Sequence, residues 1–74
     1  MPGLKTAAAV LRDLCHRPDL APDPSLRLDQ IPMLDSLVLV QAVTDIEAQL
    51  GIPVDFERME TVETLGDLAA CFHA

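Results

Sequence analysis

The chain has no tryptophan and no tyrosine, and only two phenylalanines, Phe56 and Phe72, among its 74 residues. Half of its residues are nevertheless hydrophobic. A palette of Leu, Val and Ala with so few rings suits a small helical bundle. Three glycines are too few and too scattered for a phosphate loop or a dinucleotide fingerprint. Two cysteines, Cys15 and Cys71, make no disulfide framework, and no secretory signal precedes them, so a reducing cytoplasm is expected. Five basic residues form no basic patch able to displace counterions, which excludes nucleic acid as a partner. The apolar run from Ala7 stops at Arg12, too short for a signal core or a membrane span. A single domain over residues 1–74 follows, with a modest core and a stability ceiling of roughly 3–5 kcal/mol without staples. So short a chain supplies few walls for a substrate pocket, which points away from an enzyme.

What is present is acid, unevenly placed. Residues 1–34 hold four acids and four bases, whereas residues 35–74 hold eight acids and one base, Arg58. The whole net charge of −7 lies from Asp35 onward. Such a half attracts a basic protein surface and steers its approach, and it also keeps a greasy domain in solution. Anionic lipid repels it, so no membrane partner is expected.

Periodicity divides the chain into four helices. Leu4, Ala7, Ala8, Leu11, Leu14 and Cys15 recur at helical spacing over residues 3 to about 16, and Pro18 bars continuation. Pro18, Pro22, Pro24 and Pro32 then exclude a long helix, while Leu20, Leu26, Leu28 and Ile31 demand burial. A long ordered loop across the bundle is expected there. A second helix runs from about Ser36 to Leu50, with Gly51 as its stop. Asp55 is placed to cap a short third helix with Phe56 and Met59 turned inward. The stretch TLGD, residues 64–67, has capping-box spacing, and Leu65, Leu68, Ala69 and Phe72 follow as a buried stripe. Gly66 inside that helix predicts a close helix contact. The fold class is all-α: four helices, a long loop between the first two, and a short third helix.

Helix two is the informative element. Leu39, Ala42, Val43, Ile46 and Leu50 share one face, an ordinary core stripe. Leu37, Val40, Gln41, Thr44 and Ala48 share the opposite face, so the first two turns are apolar on both sides. A patch of Leu37, Val38 and Val40 beside a helix start is a candidate docking site. Asp35 and Ser36 stand at that start. Either residue can serve as a helix cap. The free N–H groups there also stabilise an attached anion.

The segment LDSLVLVQAVTDIEAQLGI, residues 34–52, resembles the acyl carrier protein family. The likeness extends over nearly the whole chain: a helix, a long loop, Asp-Ser-Leu, an acidic helix two, an Ile-Pro step at 52–53, a short third helix and a Thr-capped last helix. It implies a four-helix carrier bundle in which Ser36 receives 4′-phosphopantetheine from coenzyme A as a phosphodiester. It implies a non-catalytic, stand-alone carrier that holds acyl or aminoacyl cargo as a thioester. The implied partners are a phosphopantetheinyl transferase, an adenylating ligase or acyltransferase, and a downstream enzyme that accepts the cargo; a monomer is expected. Asp35 fits both a helix cap and the surface that presents Ser36 to the transferase and its magnesium.

The departures from the family pattern point to a subtype. Many members carry glycine three residues before the serine, where this chain has Met33. Carriers for fatty-acid synthesis commonly have acids at the second and fifth positions after the serine, where this chain has Val38 and Gln41. Resemblance is therefore closer to D-alanyl, aminoacyl, peptidyl or natural-product carriers, with partners relying on apolar contact at Leu37, Val38 and Val40. Glu57, Glu60 and Glu63 read equally as a solvated face or as contacts for a basic partner. An unmodified helical adaptor, binding partners through the apolar start of helix two, is the alternative.

Other constellations are weaker. Cys15–His16 and Cys71–His73 lack structural zinc spacing. The cysteines are expected to pack as small hydrophobes, and His16 to sit favourably at a helix C-terminus. Adjacent Asp35 and Ser36 cannot adopt a relay geometry with a histidine.

Overall fold

The computed structural model describes residues 2–72, so His73 lies outside the described residues. Four helices follow one another: α1 (Pro2–Cys15), α2 (Ser36–Leu50), α3 (Phe56–Met59) and α4 (Leu65–Ala70). One short 3-10 turn, Leu28–Gln30, lies within the long loop. α1 packs against both α2 and α4. Among the described residues there is no strand, only isolated bridges between Arg27 and Thr64 and between Val54 and Phe72. No described helix is long and apolar enough to cross a membrane.

Each helix ends for a local reason. At the close of α1, His16 turns left-handed with φ of 55° and the Arg17 N–H donates to the Arg12 carbonyl at 3.0 Å. That is the Schellman pattern, and Pro18 prevents any resumption. α2 stops at Gly51, whose φ of 66° is left-handed and whose N–H donates to the Glu47 carbonyl at 2.8 Å. The Glu47 carboxylate then accepts from the Val54 N–H at 2.9 Å, which folds the connection back onto α2.

The core fills the space between α1, α2 and α4. Leu11, Cys15, Ile46, Leu65, Leu68 and Cys71 are its most completely buried large side chains. α2 contributes Ala42, Val43 and Ile46, with Leu39 and Leu50 half-buried at the margins of the same stripe. The cysteines are small core hydrophobes, and burial pushes both thiols above their ordinary pKa.

The proline-rich loop is ordered by both burial and pairing. Leu20, Leu28 and Ile31 are buried, and Leu26 packs against the core. Arg12 Nε donates to the Leu20 carbonyl at 2.7 Å. Three further bonds lace the loop to the approach and first turn of α4. The Leu28 N–H donates to Glu63, the Leu65 N–H to Leu26 and the Gly66 N–H to Pro24, at 3.0, 2.8 and 2.9 Å. Gly66 thus serves a close contact with the loop instead of with another helix. A Cβ at this position would meet the Pro24 oxygen at 2.8 Å and its Cβ at 2.9 Å.

α3 departs from expectation in one respect. Asp55 caps it, accepting from the Glu57 N–H at 3.1 Å, and Met59 packs against the core. Phe56, expected inward, is exposed. A helix of one turn has little inner surface; Met59 occupies it and Phe56 is left at the rim.

Candidate functional site

The start of α2 resolves the two candidate caps. Asp35 has extended backbone, with φ of −108° and ψ of −174°, and its Oδ1 accepts from the Val38 N–H at 2.9 Å. Asp35 is the cap. Ser36 is the first helical residue, exposed, and its hydroxyl has no hydrogen-bond partner among the described residues. The N–H groups of Ser36 and Leu37 likewise have no acceptor among the described residues. These are orphan donors at the positive end of the 15-residue α2. A nucleophilic oxygen and two free amide donors therefore converge at an exposed point, an arrangement suited to a covalently attached phosphate.

Beside Ser36 lies a groove of about 270 Å³ between α2 and α3. Leu39, Val40, Val43, Phe56 and Met59 line it, with Thr44 and Glu47 also contributing. From Ser36 to Glu47 the helix advances about 16 Å at 1.5 Å per residue. The polar side chains are internally engaged: Thr44 Oγ1 donates to the Val40 carbonyl at 3.1 Å, and Glu47 Oε2 receives the Val54 N–H. The remaining lining is apolar, and Ser36 is part of it.

Sequence reasoning placed most of the surrounding residues. Leu37, Val40, Gln41, Glu57 and Glu60 are all exposed near this end or along α3. Val38 differs: it is half-buried and packs against the core. It lies only 40° around the helix from buried Ala42, four residues on, so the expected patch divides, with Leu37 and Val40 facing solvent. Glu63 is engaged with the loop, its carboxylate 3.9 Å from Arg27.

Two exposed residues at this end escaped the sequence reading. One is Phe56. The other is Met33, whose φ of 73° is in the left-handed region that favours glycine. The signal for Met33 was available, because the sequence reading expected a glycine at that position and met a methionine.

No group of three or more His, Cys, Asp or Glu among the described residues is arranged to hold a metal ion. The buried thiols, with pKa values raised, are poor nucleophiles. Of the two hydroxyls that line the groove, Thr44 Oγ1 donates to Val40, and the exposed Ser36 hydroxyl has no partner among the described residues.

A search of curated proteins returns no match. The family model described as "Phosphopantetheine attachment site" does match, over residues 5–72. That span includes the loop, the serine and the groove, and the all-α architecture agrees with it. The chain thus belongs to the phosphopantetheine-attachment family of acyl carrier proteins, non-catalytic carriers that bear covalently attached 4′-phosphopantetheine.

Proposed function

We propose that Ser36 is the attachment residue and that the protein carries acyl or aminoacyl intermediates for secondary-metabolite assembly or aminoacyl transfer. The observation behind this reading is the unengaged Ser36 hydroxyl beside the free N–H groups of Ser36 and Leu37. In the attachment step, Ser36 Oγ attacks the phosphorus that bears pantetheine in coenzyme A. A serine O–P bond forms, the pyrophosphate P–O bond breaks, adenosine 3′,5′-bisphosphate leaves, and the hydroxyl proton passes to a base of the transferase.

Once attached, the arm supplies a thiol that holds cargo as a thioester. The chain's own residues do the rest. The N–H groups of Ser36 and Leu37 and the α2 dipole stabilise the phosphodiester charge. Asp35 holds the helix start through Oδ1. Its second oxygen has no partner among the described residues, so it can meet the transferase's magnesium. Leu39, Val40 and Val43 offer apolar cover along the groove. Tethering raises the local concentration of cargo at each enzyme visited.

Support for the aminoacyl or natural-product assignment comes from α2. Its first turn contains no acid, and Leu37 and Val40 are exposed there instead. Partners would be a phosphopantetheinyl transferase, an adenylating ligase or acyltransferase, and an enzyme accepting the cargo. Leu37, Val40, Gln41, Glu57 and Glu60 are the proposed contacts, with Val38 contributing mainly through the fold.

The test is intact-mass measurement after incubation with coenzyme A, magnesium and a transferase of broad specificity. Wild type gains one arm and Ser36→Ala gains none. Wild type staying at its original mass, or a modified Ser36→Ala, would overturn the assignment. Intact mass from the native host would report the cargo class.

A further inference from the structure

A second cavity lies away from the serine groove, in the proline-rich loop that follows α1. It holds about 270 Å³ and shares no lining residue with the groove between α2 and α3. Leu20, Leu26 and Ile31 form its apolar part; Leu20 and Ile31 are buried and Leu26 is half-buried. Arg17, Asp19 and Asp23 supply charge. A concave apolar wall with a few charged groups set against it is the usual form of a small-molecule site. At about 30 Å³ for each water-sized group, this cavity holds roughly nine, so its ligand is small.

The charged side chains are fixed by neighbours and still have atoms to spare. Arg17 Nε donates to Asp19 Oδ1 at 3.4 Å, and the two terminal guanidinium nitrogens have no partner among the described residues. Asp23 Oδ1 accepts from the Ser25 N–H at 2.9 Å and from the Ser25 hydroxyl at 2.7 Å. Asp23 Oδ2 has no partner among the described residues. Both residues open closed turns: the Leu20 N–H donates to the Arg17 carbonyl and the Leu26 N–H to the Asp23 carbonyl, each at 3.1 Å. The lacing of this loop to α4 holds the turns in place, so little remains to be ordered on binding.

The charge pattern selects the occupant. A simple carboxylic acid would satisfy Arg17 but bring its charge beside two carboxylates. A simple amine would satisfy Asp23 but leave the guanidinium facing another cation. A molecule with a carboxylate and an ammonium on one carbon, and an apolar side chain, meets both charges and the wall. An amino acid held as a thioester has lost its carboxylate, so the match is to the free acid.

We propose that the cavity lined by residues 17–31 is a binding site for a free α-amino acid with an aliphatic side chain. Arg17 holds the carboxylate and Asp23 Oδ2 the ammonium. Leu20, Leu26 and Ile31 cover the side chain, and Asp19 positions Arg17. The site is separate from Ser36 and does not depend on the arm.

The experiment titrates L-leucine into the whole chain, without an arm, by calorimetry and by amide NMR. Saturable binding with Kd below about 1 mM is expected. Amide shifts fall on residues 17–31 and not on Leu39, Val40, Val43 or Phe56. N-acetyl-L-leucine and L-leucinamide, each lacking one charge, bind about tenfold more weakly or worse. Arg17→Gln and Asp23→Asn weaken L-leucine by a similar factor, and thermal melts without ligand check that both variants fold. Gln49→Ala, exposed on α2, stays within about twofold. The ligand series on wild type decides the charge pattern without any variant.

No saturation by about 10 mM L-leucine overturns the site. Shifts confined to the α2–α3 groove overturn its placement. Equal affinity for L-leucine and either derivative overturns the choice of a free amino acid. None of these outcomes bears on whether Ser36 accepts the arm, which the intact-mass experiment decides separately.

Discussion

Two of the side-chain-capped helices, α2 and α4, begin very differently. At α4, the Thr64 hydroxyl accepts from the Asp67 N–H while Asp67 Oδ2 accepts from the Thr64 and Glu63 N–H groups, each at 3.1 Å. The next two N–H groups, of Leu65 and Gly66, donate to loop carbonyls. Every early donor is used, and Leu65 is wholly buried. At α2, Asp35 accepts from Val38, but the third helical residue is valine and cannot reach back. The Ser36 and Leu37 N–H groups have no acceptor among the described residues, and Leu37 is 80% exposed. The capping chemistry is the same; what differs is whether the loop closes over it. A closed helix start is a joint in the fold, whereas an open one beside a hydroxyl is available for chemistry.

Truncating the first leucine of each helix gives the largest separation between the two starts. Leu65→Ala should cost about 2–5 kcal/mol, the range for a buried leucine, which nearly exhausts the stability of a domain this small. Leu37→Ala should stay within about 0.5 kcal/mol. Urea denaturation of the two variants checks this, and similar losses would erase the distinction between a sealed and an open start. Next comes the lacing of loop to helix. Gly66→Ala forces a Cβ against Pro24 backbone at 2.8 Å and should cost about 1–3 kcal/mol. Gly51→Ala meets no neighbour within 4 Å yet should still lose about 1 kcal/mol, because its φ of 66° disfavours a side chain. Thermal melting of the pair separates a cost of space from a cost of conformation.

The closed start was legible because its instructions are local. Thr64 and Asp67 stand at capping-box spacing, and Leu65, Leu68, Ala69 and Phe72 form a stripe that needs only helical period to be read. Ser36 to Leu50 was legible for the same reason, with Asp35 before it and Gly51 after it. What escaped depends on contacts between distant segments. Gly66 signalled a close approach, but nothing local said that the approaching backbone was Pro24. Phe56 reads as core by hydropathy; only the one-turn length of α3, with Met59 holding the inner position, leaves it at the rim. Val38 shows the opposite error, since the angle between it and Ala42 mattered more than its place beside Leu37. Of the candidate site, the serine and its cap could be read from residue order, while the α2–α3 groove required the packing of two helices.

Removing the caps themselves is a smaller perturbation. Thr64→Ala and Asp35→Ala should each cost about 1 kcal/mol, the usual loss for an N-cap. The consequences should diverge beyond that number. Hydrogen exchange in Thr64→Ala should rise at Leu28, Leu65 and Gly66, because the loop is bonded to that turn. In Asp35→Ala it should rise only over the first turn of α2. Spread of the Asp35→Ala effect into the loop would mean that the α2 start is also a structural joint.

Acid should distinguish the two starts with the least disturbance. The Thr64 start contains a titrating group, Asp67, whose carboxyl is held below its ordinary value of 3.8 first by the Glu63 N–H and then by the Thr64 N–H. With its pKa lower folded than unfolded, the unfolded chain takes the proton first as pH falls. The contribution of Asp67 is thus complete above the ordinary carboxylate value and is lost as pH drops through the depressed one. Asp23 and Asp29, held down by Ser25 and Arg27, act with the same sign on the loop, so only a difference between proteins isolates Asp67. In thermal melts from pH 7 to about pH 2.5, Asp67→Asn should melt somewhat lower than wild type at neutral pH and converge with it in acid. Val38, at the equivalent position of α2, has no carboxyl, and Val38→Ala should lower the melt by the same amount at every pH. A constant offset for Asp67→Asn would show that its hydrogen bonds to Glu63 and Thr64 do not depend on charge, leaving the loop lacing alone to close that helix start.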